Sequence, residues 1–118
     1  LKLVLEDKKT ATCGSLPGYQ VSNEKIPMPH DLTILTDFDG NPYCVTEVKS
    51  ITILPFNQMT FDICKREGED ESLESWVDNH SRFFTRESKT DGYKFTKDML
   101  VVFEDFDVIY KEDFKQLK

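Results

Sequence analysis

Lys9-Thr10-Ala11-Thr12 places one amine and two hydroxyls within four residues. Those are the parts of a lysine-activated hydroxyl nucleophile. A hydroxyl attacks an acyl carbon poorly until a neighbour takes its proton, and a lysine takes it only where burial favours the neutral amine. The ordinary alternative for such a stretch is a solvated lysine at a helix end followed by β-forming residues.

The elements that must position these groups follow from composition and pattern. A chain of 118 residues suffices for one hydrophobic core, so a single domain over 1–118 is expected. Hydrophobic content of 38% with 31% charged residues suits a soluble globular protein, and no apolar run approaches the roughly 20 residues that cross a bilayer. No membrane association is expected. The opening Leu1-Lys2-Leu3-Val4-Leu5-Glu6 lacks the basic lead, long apolar centre and cleavage site of a secretory signal. It starts with helix-like apolar residues and no cap, as a chain entered inside a helix would.

Cys13, Cys44 and Cys64 are widely spaced, odd in number and free of any Cys-x-x-Cys pair, which argues against a disulfide framework and a zinc site. A reducing cytoplasm fits that usage. His30 and His80 lie far apart without metal-ligand spacing, so neither metal nor cofactor is expected. The net charge of −7, with acidic residues dense in 67–74 and 104–113, disfavours non-specific binding of long phosphate backbones.

Leu1 to Lys9 reads as the last turns of an amphipathic helix ending in lysines, and Thr10 to Ser15 as a short strand. Gly14, Pro17, Gly18, Pro27 and Pro29 make the stretch up to His30 a loop. Asp31 to Thr36 and Tyr43 to Leu54 form a hairpin across the turn signal Asp37-Phe38-Asp39-Gly40-Asn41-Pro42. Gln58 to Arg66 suits a short helix, interrupted at Gly68. A longer helix opens at Ser72 and runs to about Glu87, with Leu73, Trp76, Val77, His80, Phe83 and Phe84 at helical spacing. Met99 to Tyr110 reads as a closing strand, and the charged tail to Lys118 is expected to fray. This order does not alternate as a parallel-sheet fold would. An α+β domain around a small, mostly antiparallel barrel or curled sheet fits better, and the mouth of such a barrel often holds one small ligand.

Several collinear segments together resemble the activating signal cointegrator homology (ASCH) domain, in its compact bacterial branch. They are Lys9-Thr10-Ala11-Thr12, Asp39-Gly40-Asn41-Pro42-Tyr43-Cys44 with Thr46-Glu47-Val48, and Pro55-Phe56-Asn57. The set continues with Glu67-Gly68-Glu69-Asp70, Ser72-Leu73-Glu74-Ser75-Trp76, His80 with Phe83-Phe84, and Val101-Val102-Phe103-Glu104-Asp105-Phe106. The resemblance implies a PUA-like β-barrel with flanking helices, and a cleft between barrel and helices that holds RNA or a modified nucleoside. It also implies an alternative, because some small members look like amidohydrolases that deacylate modified cytidine with a threonine, a lysine and a glutamate. On this sequence those residues are Lys9, Thr12 and Glu67. Three departures stand out. Glu69-Asp70-Glu71 follows Gly68 where the branch carries a second glycine, so Glu69 competes with Glu67 for the acidic position. His30-Asp31 stands where the family has Gly-Asp, and the upstream helix usual in the family is not part of the sequence.

Within that frame each residue also has a bland role. Lys9 and Thr12 converge only if the chain bends near Thr10, since residues three apart on a strand face opposite sides. Thr10 would share the face of Thr12 and orient a ligand or merely pack. The acidic run 67–74 suits a solvated loop leading into a helix, with Asp70 placed to cap it. Asp37 and Glu47, near the hairpin, are further candidate ligand contacts. Trp76 offers a stacking face for a base, although its helical spacing also suits the core. Glu104, in an apolar strand, needs a partner if it points inward, and Lys9 and Arg82 are the cations considered for it.

Overall fold

The computed structural model describes residues 1–111, so the tail expected to fray lies outside the described residues. The chain runs α1 (Lys2–Leu5), β1 (Ala11–Ser15), α2 (Leu16–Ser22), β2 (Leu32–Thr36) and β3 (Pro42–Pro55). A 3-10 turn (Phe56–Gln58), α3 (Phe61–Cys64) and a second 3-10 turn (Lys65–Glu67) lead to α4 (Leu73–Asp91) and β4 (Leu100–Lys111).

The strands form one antiparallel sheet in the order β1-β4-β3-β2. The 14-residue β3 pairs with β2 on one side and β4 on the other, as the hairpin expectation requires. Its register against β4 shifts between Val45 and Thr46 and again between Val48 and Ser50. Such irregularities bend a strand and strengthen its twist, and here they curl the four strands into a half-barrel. The α+β expectation holds.

The main core lies between the sheet and α4. Trp76, Phe84, Phe103 and Val101 have essentially no exposed surface, and Phe56 stacks on Trp76 with ring centroids 5.3 Å apart. A second, smaller cluster joins Val4 and Leu5 of α1 to Cys44 and Phe106. The helix α4 starts where the Ser72 hydroxyl accepts from the Ser75 N–H, and stops at Gly92, whose φ of +79° suits a residue without a side chain.

Four expectations need correction. α1 ends at Leu5 rather than Lys9, because the chain turns at Asp7 (φ +60°) and the N–H groups of Lys8 and Lys9 both fold back to the Leu3 carbonyl. The segment read as a loop contains α2. Pro17 lies in its first turn, where no N–H is needed, and Ser15 caps it by accepting from Gly18 N–H. The helix expected over 58–66 is broken into two 3-10 turns around α3. Ser72 rather than Asp70 caps α4, which extends to Asp91; Asp70 instead accepts from the Ser75 hydroxyl and the Asn79 amide.

Candidate functional site

A recess of about 400 Å³ opens between β1, the acidic turn after the second 3-10 segment, and α4. Its walls carry Lys9, Thr12, Glu67, Glu69 and His80, with Phe83 beside them.

Backbone pairing brings the lysine and the glutamate together. The Thr10 N–H donates to the Arg66 carbonyl at 2.9 Å, and the Phe106 N–H donates to the Thr10 carbonyl at 3.0 Å. Lys9 is thereby fixed two residues before β1 and beside Glu67. Gly68 allows this approach. It takes a φ of +73°, and a Cβ there would run into the Lys8 carbonyl oxygen. Arg66 pins the same turn from below, donating to Asp105 at 2.8 Å with its guanidinium 5.2 Å above the Phe103 ring.

Glu67 is the centre of the arrangement, with only 3% of its side chain exposed. A buried carboxylate must be paired and hydrogen-bonded to be tolerated. Trp76 Nε1–H donates to its Oε1 at 3.1 Å. Its Oε2 stands 3.3 Å from His80 Nε2 and 3.8 Å from Lys9 Nζ. Lys9 also meets Glu69 at 2.9 Å, so its amine sits between two carboxylates. Thr12 lines the same recess, and no hydrogen bond joins it to Lys9 among the described residues.

Cys13 lines the recess as well and is the obvious rival nucleophile. Burial, with the charge of Glu67 adding to it, pushes its thiol far above the ordinary cysteine range, against a smaller opposing pull from Lys9. The nucleophilic form of cysteine is the thiolate, so this environment disarms it. Thr12 is the hydroxyl-bearing residue among those lining the recess.

Of the eight residues singled out from sequence, Lys9, Thr12, Glu67 and Glu69 meet in the recess. The other four do not line it. Thr10 is spent on the Arg66 carbonyl, to which its hydroxyl donates at 3.3 Å. Asp37 organises the β2–β3 turn, accepting from the N–H groups of Asp39 and Asn41; hydrogen bonds, that from the Asn41 side chain foremost, hold its carboxyl below the usual range. It borders a separate, apolar hollow of about 610 Å³ formed by Leu1, Leu5, Phe38 and Tyr43. Glu47 lies on β3 with His30 at 3.4 Å. Trp76 has no exposed surface to offer a base and acts from beneath, through its bond to Glu67.

Glu104 also differs from expectation. Its carboxyl is half-buried and forms no ion pair among the described residues, Lys9 being held by Glu69 and Glu67 and Arg82 standing 3.9 Å from Asp78. The inward, paired acid of β4 is its neighbour Asp105. Sequence reasoning placed His80 in the helical stripe and among the family's collinear segments without singling it out as a recess residue. The available signal was its position four residues after Trp76, which puts the two rings on one face of α4; their centroids lie 4.1 Å apart.

Comparisons place the chain among known proteins. The family model for the ASCH domain matches residues 1–110. The fold superposes with a TM-score of 0.85 on the crystal structure of an ASCH domain from Lactobacillus crispatus. That protein is 36% identical, and the match covers 92% of this chain and 69% of that one. A protein of Enterococcus faecalis superposes with a TM-score of 0.87 at 30% identity, covering 99% of this chain and 71% of that one. Among curated proteins none matches.

Proposed function

The chain belongs to the ASCH domain family, and from that premise we propose that its recess binds a small nucleoside-like ligand and cleaves an acyl amide carried on it. The observation that carries this reading is the Glu67 carboxylate, buried between Lys9, His80 and Trp76 on the wall it shares with Thr12. An interior charge carries a desolvation cost that its neighbours must offset. Buried titratable groups held by specific partners cluster where protons are transferred, which is what favours this reading.

Size and charge support the ligand class. About 400 Å³ falls in the range of small-molecule sites. The wall carries Glu67, Glu69 and Asp70 against Lys9, which suits an uncharged nucleoside better than a run of phosphates.

The steps follow from the contacts. Lys9, a cation between two carboxylates, becomes a base once it has passed a proton to Glu67. Its amine then takes the hydroxyl proton of Thr12 as Oγ bonds the acyl carbon. The carbon–nitrogen bond breaks, and the departing amine leaves with the proton from Glu67. Lys9, protonated again, passes a proton to Glu67 once more, and water attacks the Thr12 ester, giving its proton to Lys9 while the departing Thr12 Oγ takes one from Glu67. The sum is amide plus water to acid plus amine.

A second reading is non-catalytic recognition of RNA or a modified nucleoside, with Lys9 as a carbonyl or phosphate contact. It is favoured by the 2.9 Å Lys9–Glu69 pair, which engages the amine with a carboxylate and not with Thr12. Incubation of the purified protein with acylated cytidine separates the two. Turnover that is lost in both Thr12→Ala and Lys9→Ala supports the hydrolase. No turnover, with cytidine or RNA still bound, supports the binding module. In that case weak salt dependence indicates a nucleoside, and a steep loss of affinity with salt indicates phosphate contacts.

A further inference from the structure

His80 is engaged at both ring nitrogens, and the two partners differ in kind. Its Nδ1 lies 3.0 Å from the Trp76 carbonyl oxygen, which only accepts, so Nδ1 carries a proton and donates it. Its Nε2 lies 3.3 Å from Glu67 Oε2. The ring is clamped by stacking on Trp76 at 20°, and its side chain is only 12% exposed. Nε2 is therefore the one ring position where a proton comes and goes, and it faces a single carboxylate oxygen.

We propose that His80 is a positioning residue that shares one proton with Glu67 across the Nε2–Oε2 contact. This deepens the hydrolase reading and rests on it for its catalytic consequence. When Glu67 is ionised, Nε2–H donates to Oε2 and holds the carboxylate in place. When Glu67 has taken the Lys9 proton, Nε2 accepts from Oε2–H or draws that proton onto the ring. Glu67 thus serves as proton acceptor and donor in both halves of the reaction without turning away from the leaving amine. The other titratable groups around the contact are Lys9 and Cys13 near the start of β1, and Glu69 and Asp70 on the acidic turn.

The experiment uses His80→Gln, whose amide can donate to Glu67 but cannot exchange a proton at neutral pH. His80→Ala gives the effect of losing the contact outright. With acylated cytidine, His80→Gln is expected to keep KM within about twofold and lower kcat by about 100-fold, the scale of one proton-transfer group. It is also expected to lose the wild-type limb of the pH profile. A His80→Gln enzyme with wild-type kcat and pH profile overturns the proposal. Nitrogen-15 NMR of His80 in the free protein gives a readout independent of turnover. Nδ1 is expected to stay protonated while Nε2 titrates, with a midpoint that moves in Glu67→Gln. A bare Nδ1, or an Nε2 titration indifferent to Glu67→Gln, overturns the shared proton even if hydrolysis is found. Absence of wild-type turnover with the expected NMR result defeats the hydrolase reading and leaves the shared proton standing.

Discussion

Two concavities of this molecule differ in kind, and the larger is the poorer in chemistry. The hollow of about 610 Å³ is walled by Leu1, Leu5, Phe38 and Tyr43 beside the hairpin turn, with Asp37 tied up in turn hydrogen bonds at its edge. The recess of about 400 Å³ holds Lys9, Thr12, Glu67 and His80, and one of its carboxylates is buried. Volume locates space, whereas an interior charge held by three partners is what makes the recess the candidate site. Such a charge is costly to desolvate, and its neighbours are placed to offset that cost.

If that contrast is right, the two regions respond differently to substitution. The largest effect is expected beneath the recess. Trp76→Ala removes a fully buried ring and the Glu67 donor together, and urea unfolding should show a loss of about 3–5 kcal/mol. Phe38→Ala, at a fully exposed side chain beside the hollow, should stay within about 0.5 kcal/mol. Equal losses would erase the distinction.

A smaller effect compares two lysines. Lys9→Met strips Glu67 of a cation in a site where Lys9 is only 16% exposed, and a loss of about 1–3 kcal/mol is expected by the same measurement. Lys2→Met breaks only a 3.9 Å pair on the surface and should change little.

Glu104 sharpens the comparison from the other side, as a half-buried carboxyl without an ion partner among the described residues. Burial first, and the nearby charge of Asp31 second, raise its affinity for a proton in the folded state. The folded protein therefore holds that proton more tightly than the unfolded chain, and stability falls as pH rises through the folded pKa. Glu104→Gln should raise Tm at neutral pH, with a gain that vanishes toward the ordinary glutamate range. A gain that grows on acidification would contradict the assigned cause.

The smallest effect is chemical. Burial pushes the Cys64 thiol up to about 11 and the Cys13 thiol higher still, so both should react with iodoacetamide at pH 8 far more slowly than a free cysteine. Rapid labelling of Cys13 would reopen it as a nucleophile.

Much of the frame was legible in the sequence because local signals and tertiary demands agreed. Alternation and the Asp37–Pro42 turn located the hairpin, and the stripe from Leu73 to Phe84 located the long helix. Agreement failed where one residue type serves two purposes. Pro17 and Gly18 read as loop residues until Ser15 is seen to cap the turn that contains them. Trp76, His80 and Phe83 share one periodic stripe, yet burial divides them: the first lies in the core, the second on the recess wall and the third half-exposed beside it. Periodicity places residues on a face, and only the packing of the acidic turn over that face decides which of them meet Glu67. The choice between Glu104 and Asp105 turned on the same kind of fact. Alternation along β4 depends on register, and Arg66 claims Asp105 from a distant turn.

The central claim is that ligand chemistry belongs to the charged recess and not to the apolar hollow. A proton–nitrogen NMR titration of the folded protein with cytidine, and then with acylated cytidine in the Thr12→Ala variant, tests it most directly. The expected result is shifts concentrated at Lys9, position 12, Glu67, His80 and Phe83. Shifts gathered instead around Leu5, Phe38 and Tyr43, with the recess silent, would contradict it.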